Sequence, residues 1–372
     1  MPSAGEPSVT NPNQALAAVF HGVGQPLRLQ RFPWPRLAAG EVLVKVECCT
    51  VCGSDLHTIT GKRSEQTPTI LGHEICGIVA QTGATPLCDI DGHPLQPGDR
   101  VTWSTSVSCG DCDRCRGGLP QKCRALAKFG HESTAGRWAL SGGLAEYVHL
   151  PQGTQALRLP SDLPAGVASP ANCATATVAA ACRMAGCLSG KRVMIFGAGM
   201  LGLTAAAYVR SHGADKVVIC DRDQHRLALA DRFGADAAIL WRESCEELRR
   251  RIQEEADCAV FDILLELSGA PAAIEAACEL SDIGAKVILV GSVMKSRPVL
   301  IDPELLVRRW VSMQGVHNYA PSDLRAAVQF LVECHIRYPF HELVARTFSL
   351  QQVNEAVDFS LQHRPVRIAI IP

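Results

Sequence analysis

The first 160 residues alternate between short apolar stretches and clusters of turn-forming residues. Apolar runs bounded by glycine or proline are typical of β-strands. The strands predicted in this region are Ala15–Phe20, Glu41–Cys49, Ile75–Ala80, Arg100–Trp103 and Leu144–Leu150. The segment from Thr82 to Pro97 is polar and rich in turns, so we expect it to lie on the surface between two strands.

From Val193 onward the pattern changes to strand, glycine turn, amphipathic helix and strand. This alternation predicts a parallel, doubly wound sheet and an α/β fold. Six apolar runs form the predicted strands: Val193–Phe196, Val217–Cys220, Ala237–Leu240, Phe261–Leu265, Lys286–Val290 and Val311–Val316. The tail from Pro321 to Pro372 has two helical patterns and a closing apolar strand, Val366–Ile371. Because six parallel strands are already assigned, we expect this tail to return to the first domain.

Composition indicates a soluble, globular protein with two domains. The chain has 372 residues, of which 47% are hydrophobic and 20% charged, and its formal net charge is −1. This balance offers no field of one sign for nucleic acid or a membrane surface. Apolar runs end well before the roughly 20 residues that a membrane span requires. The segment 1–14 lacks the order of a signal peptide and is predicted to be disordered.

The 17 cysteines favour metal binding over a disulfide scaffold. Their number is odd, the chain is long, and four of them fall within 15 residues. Most of the others, such as Cys76, Cys220 and Cys278, lie inside apolar strand or helix patterns, where a thiol acts as a small buried hydrophobe. We therefore predict a reducing, cytoplasmic location.

The glycine-rich segment after Val193–Phe196 predicts a dinucleotide site. It reads Gly197-Ala-Gly199-Met200-Leu201-Gly202, follows a predicted strand and opens a helix. Gly197 permits the tight turn, Gly199 lets a pyrophosphate approach the backbone, and Gly202 lets the helix and strand pack closely. A glycine turn in an α/β domain without a nucleotide is the alternative.

Asp221 ends the next predicted strand, 19 residues after Gly202. A carboxylate there can accept hydrogen bonds from the adenosine ribose hydroxyls and repels a 2′-phosphate, which favours NAD over NADP. Arg222 and Arg226 are close enough in sequence to alter that preference.

The four clustered cysteines predict a structural zinc site. Cys109, Cys112, Cys115 and Cys123 follow the pattern C-x2-C-x2-C-x7-C in a glycine-containing loop. Four thiolates close a tetrahedron around zinc and leave no position for a substrate. Chance clustering of surface cysteines is the alternative, although four exposed thiols would be prone to oxidation.

A second, dispersed set could hold a catalytic zinc. Cys52, His73 and Cys173 supply two sulfurs and one imidazole, which leave a fourth position open. His73 alone could be a core or turn histidine, and Cys173 alone a helix-packing residue. The spacing of these three residues leaves both alternatives open.

The motifs Cys52-Gly-Ser-Asp55, Gly72-His-Glu-x-x-Gly77, the four-cysteine loop and Gly197–Gly202 occur in that order. Together they resemble the zinc-containing medium-chain dehydrogenase family, which includes alcohol, sorbitol and threonine dehydrogenases. The resemblance covers nearly all of the chain after Ala15. It implies a GroES-like β domain at 15–172 and 317–372, a Rossmann domain at 173–316, and an active site in the cleft between them.

The resemblance also implies roles for individual residues. Cys52, His73 and Cys173 match the catalytic zinc ligands, and Glu74 the neighbouring carboxylate that can exchange as a ligand in some relatives. The other matched residues are Asp55, which orients the ligand histidine, Ser54, which hydrogen-bonds the alcohol, His57, at the solvent end of a proton relay, and Arg367, a pyrophosphate contact.

Two positions depart from parts of the family. Cys173 stands where the sorbitol and threonine branches tend to carry a carboxylate, which argues against a polyol or threonine substrate. Gly53 replaces the longer residue of the classical alcohol dehydrogenases. The segments Ser169–Thr177 and Trp138–Gly143 resemble a subgroup linked to phosphonate catabolism and to hydroxycamphor-type secondary alcohols.

We therefore predict a zinc-dependent oxidoreductase that transfers a hydride between a secondary alcohol and NAD, with two zinc ions per chain. It would act as a homodimer or homotetramer on a small molecule. The alternatives are a dehydrogenase-like dinucleotide-binding protein with NADP preference or no alcohol dehydrogenase activity, a zinc-ribbon nucleic-acid binder, and a zinc-independent reductase. His131, Trp138 and Asn318 are further candidates for the cleft.

Overall fold

The computed structural model describes residues 13–242 and 244–372. The segment 1–12, most of the stretch predicted to be disordered, lies outside this range, and Gln14 is already the first residue of a strand.

The strands of the described residues, in chain order, are β1 (Gln14–Phe20), β2 (Arg28–Pro33), β3 (Val42–Thr50), β4 (Thr69–Ile70), β5 (Glu74–Thr82), β6 (Arg100–Trp103), β7 (Ser106–Val107), β8 (Ala127–Lys128), β9 (Tyr147–Leu150), β10 (Ala156–Arg158), β11 (Arg192–Phe196), β12 (Lys216–Asp221), β13 (Ala237–Leu240), β14 (Phe261–Glu266), β15 (Ser281–Leu289), β16 (Ser312–Gly315), β17 (Val344–Ser349) and β18 (Arg367–Ile371).

The α-helices of the same residues are α1 (Gly53–Ile59), α2 (Asp113–Arg116), α3 (Ala165–Ala168), α4 (Ala174–Ala185), α5 (Met200–Ser211), α6 (Gln224–Leu227), α7 (Cys245–Ala256), α8 (Pro271–Glu279), α9 (Pro303–Arg308), α10 (Pro321–Cys334) and α11 (Val353–His363). Short 3-10 helices span Pro120–Lys122, Ser169–Asn172, Phe340–Leu343 and Leu350–Gln352.

Strands from both ends of the chain build the β part of the molecule. Its largest sheet has the order β10-β6-β5-β3-β18-β17, with β9 also paired to β3, and smaller sheets join β2-β1-β4 and β7-β8. The C-terminal β18 pairs antiparallel with β3, at Ala369 opposite Thr50. Side chains such as Trp103, Phe129 and Leu43 are fully buried in this core. The C-terminal segment therefore reaches the neighbourhood of residues near position 50.

The second part is a six-stranded parallel sheet with the order β13-β12-β11-β14-β15-β16. Its central strand β11 is apolar and buried from Val193 to Phe196, as expected for a sheet covered by helices on both faces. The strand order reverses between β11 and β14. In doubly wound sheets such a switch point opens a crevice at the carboxyl ends of the strands, where ligands bind.

The predicted mixed α/β fold class, a GroES-like β domain plus a Rossmann sheet, is confirmed. Most predicted strands match within two residues, whereas Leu144–Leu150 shortens to β9 and Lys286–Val290 lengthens to β15. The sequence missed β4, β7, β8 and β10, which have only two or three residues each. It also missed the longer β2 and β17, because their charged residues break the apolar pattern on these exposed strands. Cys76, Cys220 and Cys278 are buried, as predicted.

Among the described residues no helix has the length and apolar character to cross a membrane.

Candidate metal centre and dinucleotide site

Three loops meet where the two parts of the molecule join. Cys52 lies between β3 and α1, His73 immediately precedes β5, and Cys173 lies at the start of α4. Strands β3 and β5 are antiparallel neighbours with Thr50 opposite Glu74. This register places Cys52 beside His73, although the two residues are 21 positions apart in sequence.

The side chains of Cys52, His73, Glu74 and Cys173 offer ligand atoms that all lie within 4.8 Å of one another. The Cys173 Sγ is 3.4 Å from the His73 Nε2. A sulfur and a nitrogen bound to the same tetrahedral zinc are about 3.6 Å apart, from Zn–S of about 2.3 Å and Zn–N of about 2.0–2.1 Å. The donor set and its spacing therefore fit a zinc ion.

Asp55 positions the residues of this cluster through hydrogen bonds to the loops that carry them. Its carboxylate accepts hydrogen bonds from the backbone N–H of Cys52 at 2.9 Å and of Gly72 at 3.2 Å. One oxygen is also 3.4 Å from the His73 Nδ1, although the geometry falls short of a hydrogen bond. Burial lowers the pKa of His73, but the Asp55 carboxylate and Cys52 outweigh it and raise that pKa well above its usual value. Asp55 thus holds two ligand-bearing loops together.

The two thiols of the cluster differ in acidity. A hydrogen bond from Cys173, with help from the Arg367 guanidinium and against the effect of burial, holds the pKa of Cys52 well below its usual value. The same contact and burial raise the pKa of Cys173. This direction favours the thiolate of Cys52, the form of cysteine that binds metals.

Glu74 is fully buried beside the cluster and bound by Arg367. The guanidinium donates to its two carboxylate oxygens, each at 2.8 Å, and Thr50 Oγ1 donates at 2.6 Å. Burial raises the pKa of Glu74, and Arg367 opposes the rise. The Arg367 Nη2 also lies 3.5 Å from the Cys52 Sγ. The sequence placed Arg367 only at the pyrophosphate, whereas in the structure it also joins the C-terminal strand to the metal centre.

A cavity of about 470 Å³ adjoins this centre. Gly199 and Met200, at the start of α5, line it together with His57. Its cationic lining residues are Lys62, Arg226, Arg364 and Arg367. Among the described residues no carboxylate lines the cavity. A helix N-terminus and four cations suit a pyrophosphate.

The three glycines of the motif make different contacts. A Cβ on Gly202 would lie 1.7 Å from the Gly197 carbonyl oxygen, so only glycine fits there. Gly197 has φ of +103° and faces the Ser268 backbone. A Cβ on Gly199 would meet only the Arg226 Nη1, at 3.8 Å, so this glycine opens toward the cavity. Leu201, by contrast, packs against the apolar core.

Asp221 ends β12 beside the same turn. Its carboxylate accepts hydrogen bonds from the Ala198 N–H at 2.6 Å and the Asp223 N–H at 2.9 Å. Arg222 is exposed to solvent, whereas Arg226 lines the cavity. The Asp221 side chain is therefore fixed against the glycine turn, at the carboxyl end of its strand.

The four clustered cysteines form a second possible metal site. Cys109, Cys112, Cys115 and Cys123 have sulfurs within 4.8 Å of one another, and three of the pairs are 3.4, 3.5 and 3.9 Å apart. Two sulfurs on one tetrahedral zinc are about 3.8 Å apart, from Zn–S of about 2.3 Å. N–H groups of Arg124 and Cys115 lower the pKa of Cys112 to about 6. This set also fits zinc.

Several residues that support the site were missed by the sequence analysis. Asn172 donates to the carbonyls of His73 and Trp103, and Ser169 donates to the Glu74 carbonyl. Glu266, buried at the end of β14, accepts hydrogen bonds from the N–H groups of Ser268 and Gly269, and Ser268 faces Gly197. The sequence feature that could have identified these residues is a polar side chain inside an apolar segment.

The three cleft candidates differ in position. The Trp138 ring packs on Phe129 and its indole N–H donates to the His149 carbonyl, so Trp138 belongs to the core. The His131 ring stacks on His73, with ring centres 5.8 Å apart. Asn318 is half-buried, with φ of +59°.

Comparison with known proteins identifies the family. The Alcohol dehydrogenase GroES-like domain matches residues 38–161, and Zinc-binding dehydrogenase matches residues 201–333. L-threonine 3-dehydrogenase of Anaeromyxobacter sp. (strain K) is 32% identical over 293 residues, which cover 77% of this chain and 78% of that relative.

Solved structures that resemble this chain belong to the same kind of protein. An alcohol dehydrogenase from Thermotoga maritima has a TM-score of 0.91 and 27% identity, and the match covers 96% of this chain and 99% of that one. A Sinorhizobium meliloti 1021 protein of the zinc-binding dehydrogenase type, bound to NADP, has a TM-score of 0.82 and 25% identity, with 96% and 99% covered. The chain therefore belongs to the zinc-containing medium-chain dehydrogenases and is an oxidoreductase of that family.

Proposed function

We propose that the protein transfers a hydride between a secondary alcohol and NAD at a zinc ion held by Cys52, His73 and Cys173. The observation that carries this proposal is the convergence of these three ligands beside a cationic cavity that contains the glycine turn. A zinc ion held there would supply a Lewis acid that lowers the pKa of an alcohol, and a bound nicotinamide would supply the hydride acceptor.

The residues around the zinc ligands have positioning and proton-transfer roles in this proposal. Asp55 and Asn172 would fix the loop that carries His73, through hydrogen bonds with the backbone of Gly72 and His73. Ser54, two residues after Cys52, would accept the alcohol proton, and His57, which lines the cavity, would pass it to solvent. Glu74 is bound by Arg367 and would serve as an exchange ligand only if that ion pair opened.

NAD is the proposed cofactor. Gly197, Gly199, Met200, Leu201 and Gly202 would form the pyrophosphate turn, and Arg226 and Arg367 would face the phosphates from the cavity wall. Asp221 would bind the ribose hydroxyls, because its carboxylate lies at the strand end that faces this turn. Arg222 is free to turn toward a 2′-phosphate, and the Sinorhizobium relative binds NADP. The preference between the two cofactors is therefore a direct test of the Asp221 role.

A second zinc ion at Cys109, Cys112, Cys115 and Cys123 would be structural, since four thiolates leave no open position. We also propose a reducing location such as the cytoplasm, because all 17 cysteines are unpaired thiols. The proposed domains remain 15–172 with 317–372, and 173–316.

We propose a homodimer or homotetramer. Strand β16 is an edge strand of the parallel sheet, and large apolar side chains near that edge, including Trp310 and Val307, are about four-fifths exposed (82% and 79%). Light scattering at the elution peak of a size-exclusion column would measure the mass, and a monomer at micromolar concentration would contradict this proposal.

Metal analysis with a spectrophotometric assay tests the main proposal. We expect two zinc ions per chain and zinc-dependent formation of NADH from a secondary alcohol. Bound dinucleotide without turnover on a panel of secondary alcohols, polyols and phosphonate-bearing alcohols, with either NAD or NADP, would instead favour a dehydrogenase-like binding protein.

A further inference from the structure

The Tyr319 hydroxyl contacts two backbone segments beside the metal centre. Tyr319 lies between β16 and α10 and is buried, with only 3% of its surface exposed. The hydroxyl donates a hydrogen bond to the Asn172 carbonyl and accepts one from the Thr105 N–H at 3.2 Å. Burial raises the pKa of Tyr319, so the hydroxyl keeps the proton that it donates. One side chain therefore joins two segments that are 67 positions apart in sequence.

The contact with Asn172 lies next to a proposed metal ligand. Asn172 ends the 3-10 helix Ser169–Asn172, and Cys173 follows it directly. The Asn172 amide donates to the His73 carbonyl at 3.0 Å, and the Cys173 sulfur is 3.4 Å from the His73 Nε2. A shift of the Asn172 backbone would therefore change the spacing of two ligands, because it moves Cys173 through the chain and His73 through the amide.

The contact with Thr105 makes the arrangement a closed network. Thr105 lies on the loop after β6, whose last residue is Trp103. The Trp103 carbonyl accepts a second hydrogen bond from the Asn172 amide, at 2.8 Å. Asn172 is thus bound to this loop directly by its side chain, and through the Tyr319 hydroxyl by its carbonyl. In such a buried network the loss of one group leaves the others unpaired.

The other end of the same 3-10 helix is held by different partners. The Ser169 hydroxyl donates to the Glu74 carbonyl at 2.7 Å and accepts the Thr50 N–H at 3.0 Å. These contacts fix the start of the helix against β3 and β5, whereas Asn172 lies three residues further along the chain. The position of the end that leads to Cys173 therefore depends on the network of Asn172 and Tyr319.

We propose that Tyr319 is a positioning residue of the catalytic metal centre, and that its hydroxyl, acting through the Asn172 carbonyl, fixes Cys173 relative to His73. Tyr319 supplies no metal ligand itself. Removal of groups that orient metal ligands typically costs about 10–100-fold in metal affinity or activity. This inference rests on the proposed function, since it concerns the zinc ion that Cys52, His73 and Cys173 would hold.

Zinc release tests the role of Tyr319 without turnover. The zinc-loaded protein would be mixed with an excess of a chromogenic chelator, and the two ions would be followed as two kinetic phases. The Cys52→Ser protein, which should hold only the ion of the four-cysteine cluster, identifies the phase of that ion. In Tyr319→Phe we expect the catalytic ion to leave about tenfold faster or more, and the other ion to leave at the native rate.

Tyr338→Phe is the matched control. Tyr338 is also 3% exposed, but its hydroxyl has no hydrogen-bond partner among the described residues. Both variants remove one hydroxyl from a buried ring, so their difference measures the hydrogen bonds of Tyr319. We expect native release of both ions in Tyr338→Phe. Equal release of the catalytic ion in the two variants, or equal acceleration of both ions in Tyr319→Phe, would overturn the proposal.

Cobalt substitution and turnover give a second readout. Cobalt(II) in the catalytic site would report the geometry of its ligands through its visible absorption spectrum. We expect an altered spectrum and about tenfold lower kcat in Tyr319→Phe, with NADH affinity within about twofold, since the glycine turn lies on other elements. Tyr338→Phe should match the native protein in all three measurements.

A native cobalt spectrum together with a native kcat in Tyr319→Phe would also overturn the positioning role, while leaving the alcohol dehydrogenase proposal intact. A native protein that holds zinc only at the four-cysteine cluster would count against the proposed function itself.

Discussion

Arg367 on the C-terminal strand binds Glu74 through two hydrogen bonds of 2.8 Å each, across 293 positions of sequence. Both side chains are buried, and the same guanidinium lies 3.5 Å from the Cys52 sulfur. Strand β18 therefore helps to shape the metal centre as well as closing the sheet. The contact also explains why a carboxylate can lie beside two sulfur ligands without repelling them.

Loss of Arg367 should be strongly destabilising. Arg367→Ala leaves the Glu74 carboxylate buried without its partner, and we expect a loss of about 3–5 kcal/mol in the free energy of unfolding. Arg325→Ala is the matched control, because its ion pair with Asp91 is largely exposed and should contribute about 1 kcal/mol or less. Urea denaturation measures both, and equal effects would contradict the interpretation of the buried pair.

Removal of a zinc ligand should abolish turnover but spare dinucleotide binding. In Cys52→Ser and His73→Ala we expect zinc to fall from two ions to one per chain and kcat to fall by ~10³-fold or more. NADH affinity, followed by fluorescence, should stay within about twofold, since the glycine turn lies on other elements. Native-like turnover in a His73→Ala protein with one zinc would refute the mechanism.

His57 should affect proton transfer only. For His57→Ala we expect kcat to fall about tenfold to a hundredfold, with partial recovery in an amine buffer that can take the proton. The measurement is the pH–rate profile with and without the amine. A profile unchanged from the native one would exclude His57 from the relay.

Asp221 should set the cofactor preference. Asp221→Ser removes a carboxylate that can bind two ribose hydroxyls, and we expect NAD affinity to fall about tenfold or more while NADP use improves. The ratio of kcat/KM for the two cofactors is the readout. If that ratio does not move, the ribose is recognised by other residues.

Two glycines of the same turn should respond differently to alanine. In Gly202→Ala the new Cβ meets the Gly197 carbonyl at 1.7 Å, so we expect a stability loss of at least about 2 kcal/mol. In Gly199→Ala the Cβ has space, so we expect native stability but weaker NADH binding, because a pyrophosphate must pass there. Thermal unfolding and NADH titration separate the two, and similar stabilities would contradict this contrast.

The sequence by itself determined the features that depend on local spacing. The alternation of strand and helix patterns predicted the parallel sheet, because each strand and each helix has its own local periodicity. The glycine spacing predicted the turn after β11, and the C-x2-C-x2-C-x7-C pattern predicted the four-cysteine cluster, because both form from neighbours in sequence. Cys52, His73 and Cys173 were found through resemblance to a family, since their spacing alone was compatible with ordinary packing.

Only the tertiary structure decided what lies around those ligands. The Arg367–Glu74 pair, the hydrogen bond of Asn172 to His73, and the Lys122–His317 contact join residues between 99 and 293 positions apart. No periodicity along the chain encodes such pairs. They arise because strand pairing and domain packing bring distant side chains into one buried region, where each polar group must find a partner.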